Sequence, residues 1–279
     1  MDAAARRMTV LSIHRVHLPT VDSTNSWVKR NVASLNPAQL TAVTAGTQTA
    51  GRGRGARSWV SSGDDIALTF AFFLPLASVP SAYLLSPLLC VAARRALAAR
   101  GVAGAAIKWP NDLVMGGARK VGGILAEMEG PLASPPGHFL VALGIGLNVN
   151  STPEALGVAR PAWPLTTLRA EGGGEPLDVP ALTNAVVDAF ASALPMFLEA
   201  GFAPFKAEYD GANVLAGRRV RFAAGGGEAV VEGRVLGVGE DGRLLVEDDV
   251  GGAPRAFLGG EVTGVQLVDR GFVGAAEAP

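Results

Sequence analysis

The sequence predicts an α+β chain in two parts: a mixed β-sheet domain with flanking helices over residues 1–212, and a small C-terminal β-barrel over 213–279. Three observations carry this reading. Apolar runs of strand length, among them Ile66 to Leu74, Val121 to Met128 and Phe139 to Val149, follow one another with few helices between them, which excludes a regular strand-and-crossover-helix alternation. From about Asn213 the chain turns to short β-rich runs separated by Gly225-Gly226-Gly227, Asp241-Gly242 and Gly251-Gly252, a turn spacing that suits a barrel. Hydrophobic residues make up 49% of the 279 and charged residues 18%, enough to bury one large core and a smaller one, so general disorder is excluded.

Taken in order, Thr9 to Leu18 reads as the first strand, and Val21-Asp22-Ser23-Thr24-Asn25 supplies N-cap candidates for a helix through Trp27, Val28 and Val32. A short strand at Leu40 to Thr44 leads into a long loop, Gly46 to Gly63, dense in Gly, Arg and Ser; loops of that length are usually functional or disordered. Ile66 to Ala93 carries no formal charge and is long enough to span a bilayer, but Pro75, Pro80 and Pro87 divide it into a buried strand and a helix from about Ser81 to Arg100. No membrane association is expected. Ala105 to Lys108 is a strand and Pro110-Asn111-Asp112 a turn, followed by the two apolar strands named above. Pro161 to Gly174 is connection. Asp178 caps a helix with apolar positions at Leu182, Val186, Ala189, Phe190 and Leu194, which Pro195 should kink or end. The barrel runs are Arg219 to Phe222, Ala229 to Leu236, Leu244 to Val246 and Val262 to Leu267.

Charge and composition narrow the function. Lys and Arg total 24 against 25 Asp and Glu, and a net charge of -1 provides no global field to hold a polyanion. Cys90, the sole cysteine, makes neither an internal disulfide nor a zinc set, and its neighbours Leu88, Leu89 and Val91 mark it as a small core residue. The apolar stretch Met8 to Ile13 ends at His14 and Arg15, too early for a signal peptide, so a cytoplasmic location is expected. His14, His17 and His138 are too scattered for a metal cage, and no Gly-x-Ser-x-Gly elbow exists.

The loop from Gly51 to Ala56 spells G-x-G-x-x-A, but a dinucleotide site needs a helix at the third position, whereas Arg57-Ser58-Trp59 leads on to a strand. No Gly-Lys-Ser or Gly-Lys-Thr follows, so it is no P-loop, and it is shorter than RNA-binding Arg-Gly tracts. What remains is a supple backbone from which Arg52, Arg54 and Arg57 fork onto phosphate or carboxylate oxygens, with a plain solvated loop as the alternative. Lys108 ends an apolar strand, costly unless it meets an anion or water. Gly122 and Gly123 inside an apolar strand mark either a bulge or a flat ligand against the backbone. Asn148 reads a base edge or caps a turn.

In one order the chain carries Asp22-Ser23-Thr24-Asn25, then Gln48-Thr49-Ala50-Gly51-Arg52-Gly53-Arg54 with Trp59, then Lys108-Trp109-Pro110-Asn111-Asp112, Lys120-Val121-Gly122-Gly123-Ile124, and Gly144-Ile145-Gly146-Leu147-Asn148. That series resembles the biotin protein ligases over roughly residues 10 to 270. The resemblance implies a class II synthetase-like biotin/lipoate ligase fold with an SH3-like barrel, and a two-step reaction. Biotin and MgATP form biotinyl-5'-AMP, and the mixed anhydride then acylates a lysine on the biotin carboxyl carrier domain of a biotin-dependent carboxylase. Such chemistry brings two anions together and needs fixed cations rather than an enzyme nucleophile. By the same resemblance Ser23, Thr24, Asn25 and Gln48 bind the ureido head, while Gly122 and Gly123 admit the bicyclic ring. Gly51 and Gly53 shape the loop, and Arg52 and Arg54 hold carboxylate and phosphate. Lys120 bridges the reacting oxygens, Arg57 and Lys108 face ATP phosphates, Trp59 packs over the loop or adenine, and Asn148 contacts adenine. Asp112 holds Mg²⁺ or orients the incoming amine. A homodimer is compatible with the resemblance.

Two departures stand out. Gly55 and Ala56 replace an arginine and a glycine of the family's longer arginine run, which bears on loop closure. About 20 residues precede Asp22, too few for the winged-helix domain of some members, so neither DNA binding nor repression is expected. The rival readings are a lipoate ligase, a biotin sensor without activity, and a non-enzymatic nucleic-acid binder.

Overall fold

The computed structural model describes residues 12–55, 57–116, 119–152, 155, 163–224, 230–248, 253–266 and 272–274. Thr9 to Leu11, Ala56, the Gly225 to Gly227 and Gly251-Gly252 turns, Ala229, Leu267 and residues 161–162 lie outside the described residues.

Seven strands form one sheet. They are β1 (Ser12–Val21), β2 (Gln39–Gln48), β3 (Ile66–Pro75), β4 (Ala106–Lys108), β5 (Asp112–Met115), β6 (Arg119–Glu129) and β7 (His138–Leu147). Their order is β1-β2-β3-β7-β6-β5-β4, with β1 and β2 parallel and every other pair antiparallel. The parallel pair is joined through α1 (Thr24–Arg30), whose N-cap Ser23 accepts a hydrogen bond from the Ser26 N–H. Helix α1 is shorter than the sequence suggested, and a 3₁₀ turn at Val32–Ser34 follows it.

Alternation along the strands sorts side chains onto two faces. One face, with Ile66, Leu68 and Phe70 of β3 and Ile124 of β6, packs beneath α2 (Leu85–Ala99) and α4 (Val179–Ala200). Phe70 and Phe190, both fully buried, meet with ring centroids 4.4 Å apart, and burying each is worth about 1.5–3 kcal/mol. The other face receives the short α1 in a small cluster around Val28, Val43 and Ala142, with Val32, Leu35 and Leu132 packed against it, and beyond that cluster the face carries the site.

Several sequence readings are corrected. The stretch after Pro75 begins as a 3₁₀ helix, Leu76–Leu84, and becomes α-helical only at Leu85. Helix α4 runs through Pro195 to Ala200, because the buried Leu194 and Phe197 hold both sides of the proline against the core; the lost backbone bond costs about 3 kcal/mol. The turn at Asn111 opens directly into β5, unanticipated because its four residues are too few for a period to show. The connection before α4 holds a short helix, α3 (Leu168–Glu171), and α5 (Ala203–Ala212) follows α4. The C-terminal strands, β8 (Arg219–Ala224), β9 (Val230–Val238), β10 (Leu244–Asp248), β11 (Arg255–Phe257), β12 (Gly260–Gln266) and β13 (Phe272–Gly274), make a separate antiparallel sheet in the order β11-β10-β9-β8-β12-β13. The indole Nε1–H of Trp109 donates to the Gly242 carbonyl at 3.2 Å, tying this sheet to the turn before β5.

Candidate active site

Cross-strand register assembles the site. Lys108 pairs with Asp112, Asp112 with Gly123, Gly123 with Gly146, and Gly146 with Ala67, so one row crosses β4, β5, β6, β7 and β3. Paired residues share a face. The row therefore carries two charged groups at one end and, at Gly123 and Gly146, a floor without side chains. Two residues further along, Leu125, Gly144 and Thr69 form a second row, and Glu127, Ala142 and Ala71 a third.

A cavity stands on this floor. It is lined by every residue that the sequence singled out for the site except Gly51 and Gly122. A Cβ on Gly122 would lie 2.4 Å from Leu147 Cδ2 and 2.8 Å from the Gly146 oxygen. Gly122 therefore faces the helix-covered core, one residue out of phase with Gly123, and it does not open the cavity to a ring. A Cβ on Gly51 would meet the Trp59 carbonyl at 2.2 Å; its role is close backbone approach within the loop.

That loop is more ordered than the sequence indicated. Strand β2 extends to Gln48, and the Trp59 N–H donates to Gly51 O at 2.8 Å while the Gly53 N–H donates to Arg57 O at 2.8 Å, which pairs residues 51–53 with 57–59 over the cavity. The Trp59 indole packs directly against Gly146, where an added Cβ would sit 2.3 Å from its ring. Its Nε1–H is buried without an acceptor among the described residues. Lys120 Nζ stands 5.7 Å from the ring centroid.

Of the three loop arginines, all of which line the cavity, Arg52 and Arg54 go to opposite ends. Arg54 Nη1 donates to Asn111 Oδ1 at 2.9 Å beside Asp112. Arg52 forms a two-pronged pair with Glu127, one contact at 3.0 Å and the other, Nη2 to Oε2, shorter. Arg52 is thus turned away from the lysines, because a carboxylate two rows down the sheet captures it. Burial pushes the Glu127 carboxyl up, but bonds from Asn25, Arg52 and Lys29 outweigh it and hold the group below the ordinary glutamate value. Sequence reading missed Glu127; the signal, a charged residue in the β6 apolar run, was present.

At the ionic end Asp112 accepts from Lys120 Nζ at 2.7 Å and stands 3.6 Å from Lys108 Nζ. Burial raises its carboxyl, yet the charges of Lys120 and Lys108, the bond from Lys120 and the charge of Arg54 hold it below the usual aspartate value. Asp112 is therefore a carboxylate at neutral pH and a poor proton acceptor. Among the described residues no group of three His, Cys, Asp or Glu could hold a metal by itself. The Asp112 carboxylate, which would have to serve Mg²⁺ together with substrate phosphates, is already shared by two ammonium groups.

At the opposite end Gln48 Oε1 accepts from the Thr24 N–H at 2.9 Å, and Gln48 Nε2 donates to Ser61 Oγ at 3.1 Å. Asn25 does not offer its amide to the cavity: Nδ2 donates to Leu125 O, Ala142 O and Glu127 Oε2, and Oδ1 meets Thr69 Oγ1 at 2.6 Å. Asn148 Nδ2 donates to the Thr166 carbonyl at 3.1 Å, in a segment that pairs with Lys120 through the Lys120 N–H to Pro164 O and brings Trp163 over Lys108, 4.4 Å from Nζ to ring centroid. Trp163 was not foreseen, because it sits in a connection with no period.

Residues 18–150 match the model of the biotin/lipoate A/B protein ligase family, and residues 216–263 that of the biotin protein ligase C terminal domain. The biotin–[acetyl-CoA-carboxylase] ligase of Paracoccus denitrificans is 32% identical over 253 residues, covering 87% of this chain and 100% of that protein. The bifunctional ligase/repressor BirA of Escherichia coli strain K12 is 29% identical, covering 88% of this chain and 72% of its own length. Among solved structures, the biotin protein ligase from Aquifex aeolicus in complex with biotin and ATP superposes with a TM-score of 0.72 at 28% identity, covering 91% of this chain and 98% of that one.

Proposed function

This chain belongs to the biotin protein ligase family, and from that premise we propose that it joins biotin to a lysine of a biotin carboxyl carrier domain at the expense of ATP. The observation that carries the reading is a single cavity with amide and hydroxyl groups of Thr24 and Gln48 at one end, a glycine floor in the middle, and Lys108, Lys120 and Arg54 at the other. A neutral fused ring with hydrogen-bonding edges and a carboxylate tail has that polarity.

In the first step a biotin carboxylate oxygen bonds to the α-phosphorus of MgATP, the bond from that phosphorus to the α-β bridge oxygen breaks, and pyrophosphate leaves. Mg²⁺ arrives with the nucleotide. Lys120 and Arg54 offset the charge of the two anions, and Lys108 and Arg57 face the polyphosphate; such preorganised cations lower the barrier without a reorganisation cost. Trp59, lying across the floor, excludes water from the reactive anhydride. In the second step the carrier lysine nitrogen bonds to the acyl carbon, AMP leaves, and the amine loses a proton to solvent or phosphate. Asp112, ionised and low in basicity, orients the incoming amine. Asn148 and Trp163 border the space left for adenine.

The catalytic part is assigned to residues 1–212 and the barrel to 213–279, in a cytoplasmic enzyme whose sole cysteine needs no oxidising compartment. A lipoate ligase is the second reading, and the side-chain amide and hydroxyls around Gln48 favour a ureido head over an extended dithiolane chain. Intact mass measurement of a carrier domain, after incubation with this protein, MgATP and either acid, tests both. Gain of one biotin mass, dependent on ATP and absent with lipoate, is expected. Gain of lipoate alone, or of neither acid with a carrier that a control ligase modifies, overturns the reading.

A further inference from the structure

We infer that Arg119 and Glu171 are positioning residues for Lys120: their ion pair holds the bulge in β6 that turns the Lys120 ammonium group into the cavity. The inference rests on the biotin ligase reading and deepens it. Strand alternation alone would not put Lys120 there. Gly123 lies on the cavity floor, so strict alternation sends Gly122 to the core, Val121 to the cavity and Lys120 to the core. The observed register differs: Leu113 pairs with Gly122, but Val114 pairs with Lys120. Val121 is therefore the extra residue of a β-bulge, fully buried in the core cluster beside Gly122. Lys120 comes out on the cavity side, with Nζ 2.7 Å from Asp112. Bulges re-aim a side chain in this way at the cost of a disrupted ladder.

Strand β7 ends at Leu147, opposite Gly122, so another segment borders Lys120 beyond the bulge. The Lys120 N–H donates to Pro164 O at 2.7 Å, and the Lys120 carbonyl accepts from the Thr166 N–H at 3.0 Å. Side chains lock that segment in place. Arg119 Nε and Nη2 donate to the two Glu171 oxygens, each at 2.7 Å, and Thr166 Oγ1 donates to Glu171 Oε1 at 2.7 Å. The bond from Arg119 holds the Glu171 carboxyl below the ordinary glutamate value against the opposing effect of burial, and the bond from Thr166 adds to it. One carboxylate thus ties the residue before Lys120 to the residue bonded to the Lys120 carbonyl. Gly116, at φ +53°, leaves room for the pair, since a Cβ there would lie 2.1 Å from Arg119 Nη2 and 2.5 Å from Glu171 Oε2. Exposed ion pairs usually contribute little, but a forked pair onto a carboxylate side chain only 10% exposed is the geometry that does contribute. Neither residue lines the cavity, so the pair acts on the reaction through Lys120.

The test follows pyrophosphate release at saturating biotin and ATP, and calorimetric affinity for biotin, in the parent, Arg119→Ala, Glu171→Ala, the double variant and Arg119→Lys. Displacing a reacting group by about 1 Å can cost about 100-fold, so each alanine variant is expected to turn over about 10-fold more slowly, with biotin affinity within about 2-fold of the parent. Both losses come from one pair, so the double variant is expected to fall no further than the slower single. Arg119→Lys keeps the charge without the fork and is expected to turn over about 3-fold more slowly; as the mildest change it carries the test if an alanine variant does not fold. Arg15→Ala cuts the Arg15–Asp188 pair on β1, whose arginine is equally exposed at 48%, and is expected to leave turnover unchanged. Parental turnover in Arg119→Ala and Glu171→Ala, losses that multiply in the double variant, an equal loss in Arg15→Ala, or biotin affinity that falls by the same factor as turnover overturns this inference and leaves the functional reading standing. A parent that releases no pyrophosphate from ATP in the presence of biotin overturns the functional reading, and this inference with it.

Discussion

Replacing Asp112 by Asn keeps the shape of the side chain and removes the one negative charge among three cations. The Asp112 side chain is 14% exposed, with Lys108 at 7% and Lys120 at 21%, and the ammonium groups stand 3.6 and 2.7 Å away. Taking away one partner of a buried ion pair costs about 3–5 kcal/mol, because the remaining charge stays buried and uncompensated. Lys120, a fifth exposed, recovers some hydration, which places the cost near the lower end, at about 3 kcal/mol. In a domain of about 200 residues each kcal/mol moves Tm by roughly 2–4 °C, so Asp112→Asn should melt about 6–12 °C below the parent at pH 7. The sign of the pH dependence follows from the direction of the shift. A carboxyl held below its unfolded value contributes stability that is complete above the unfolded value, near 3.9, and is lost as pH falls through the lower folded value. The gap between parent and variant should therefore be constant from pH 6 to 7 and close progressively below about pH 4. Differential scanning fluorimetry across that range measures it. A gap under about 2 °C at pH 7, or one that persists undiminished at pH 3, would refute the ion-pair account.

Lys120→Ala should abolish adenylate formation, followed as pyrophosphate release, while Tm stays near the parent, since Lys108 still faces Asp112 and a lysine removes little core packing; an unchanged adenylate yield would remove Lys120 from the site. Gly122→Ala and Gly123→Ala should separate cleanly. The first drives a methyl into Leu147 and the Gly146 carbonyl, costing about 1–3 kcal/mol of stability in a melt, whereas the second points into the cavity beside Lys120 Nζ at 3.1 Å and should weaken biotin at least about 10-fold with little change in Tm. The reverse pattern would mean that the strand face has been misassigned. Arg54→Ala, which loses the bond to Asn111, should release biotinyl-5'-AMP faster than the parent in a dissociation assay; equal release would remove the loop from retention of the intermediate.

Much of the fold and of the family was legible in order along the chain. The apolar runs of β3, β6 and β7 announced themselves by length, and the Ser23 cap by its residue type. Short elements did not: β5 spans four residues and α3 four, less than a usable period. Within the site, types were readable while partners were not. Arg52 looked equivalent to Arg54, yet the two meet Glu127 and Asn111 at opposite ends of the cavity. Asn25 looked like a ligand group, and its amide is consumed by Leu125, Glu127, Ala142 and Thr69.

By itself, then, the sequence determined which residues alternate within each strand, where glycines leave backbone bare and which cations lie near one another along the chain, because these depend on neighbours a few positions away. Tertiary structure alone decided that Gly123 joins Gly146 on the floor while Gly122 turns to the core, that Lys108 and Lys120 converge on Asp112, and that Thr69 stands between Asn25 and Thr24. The physical reason is register: a shift of one residue between strands exchanges the two faces, and register is set by packing across the whole sheet rather than by any local stretch of chain.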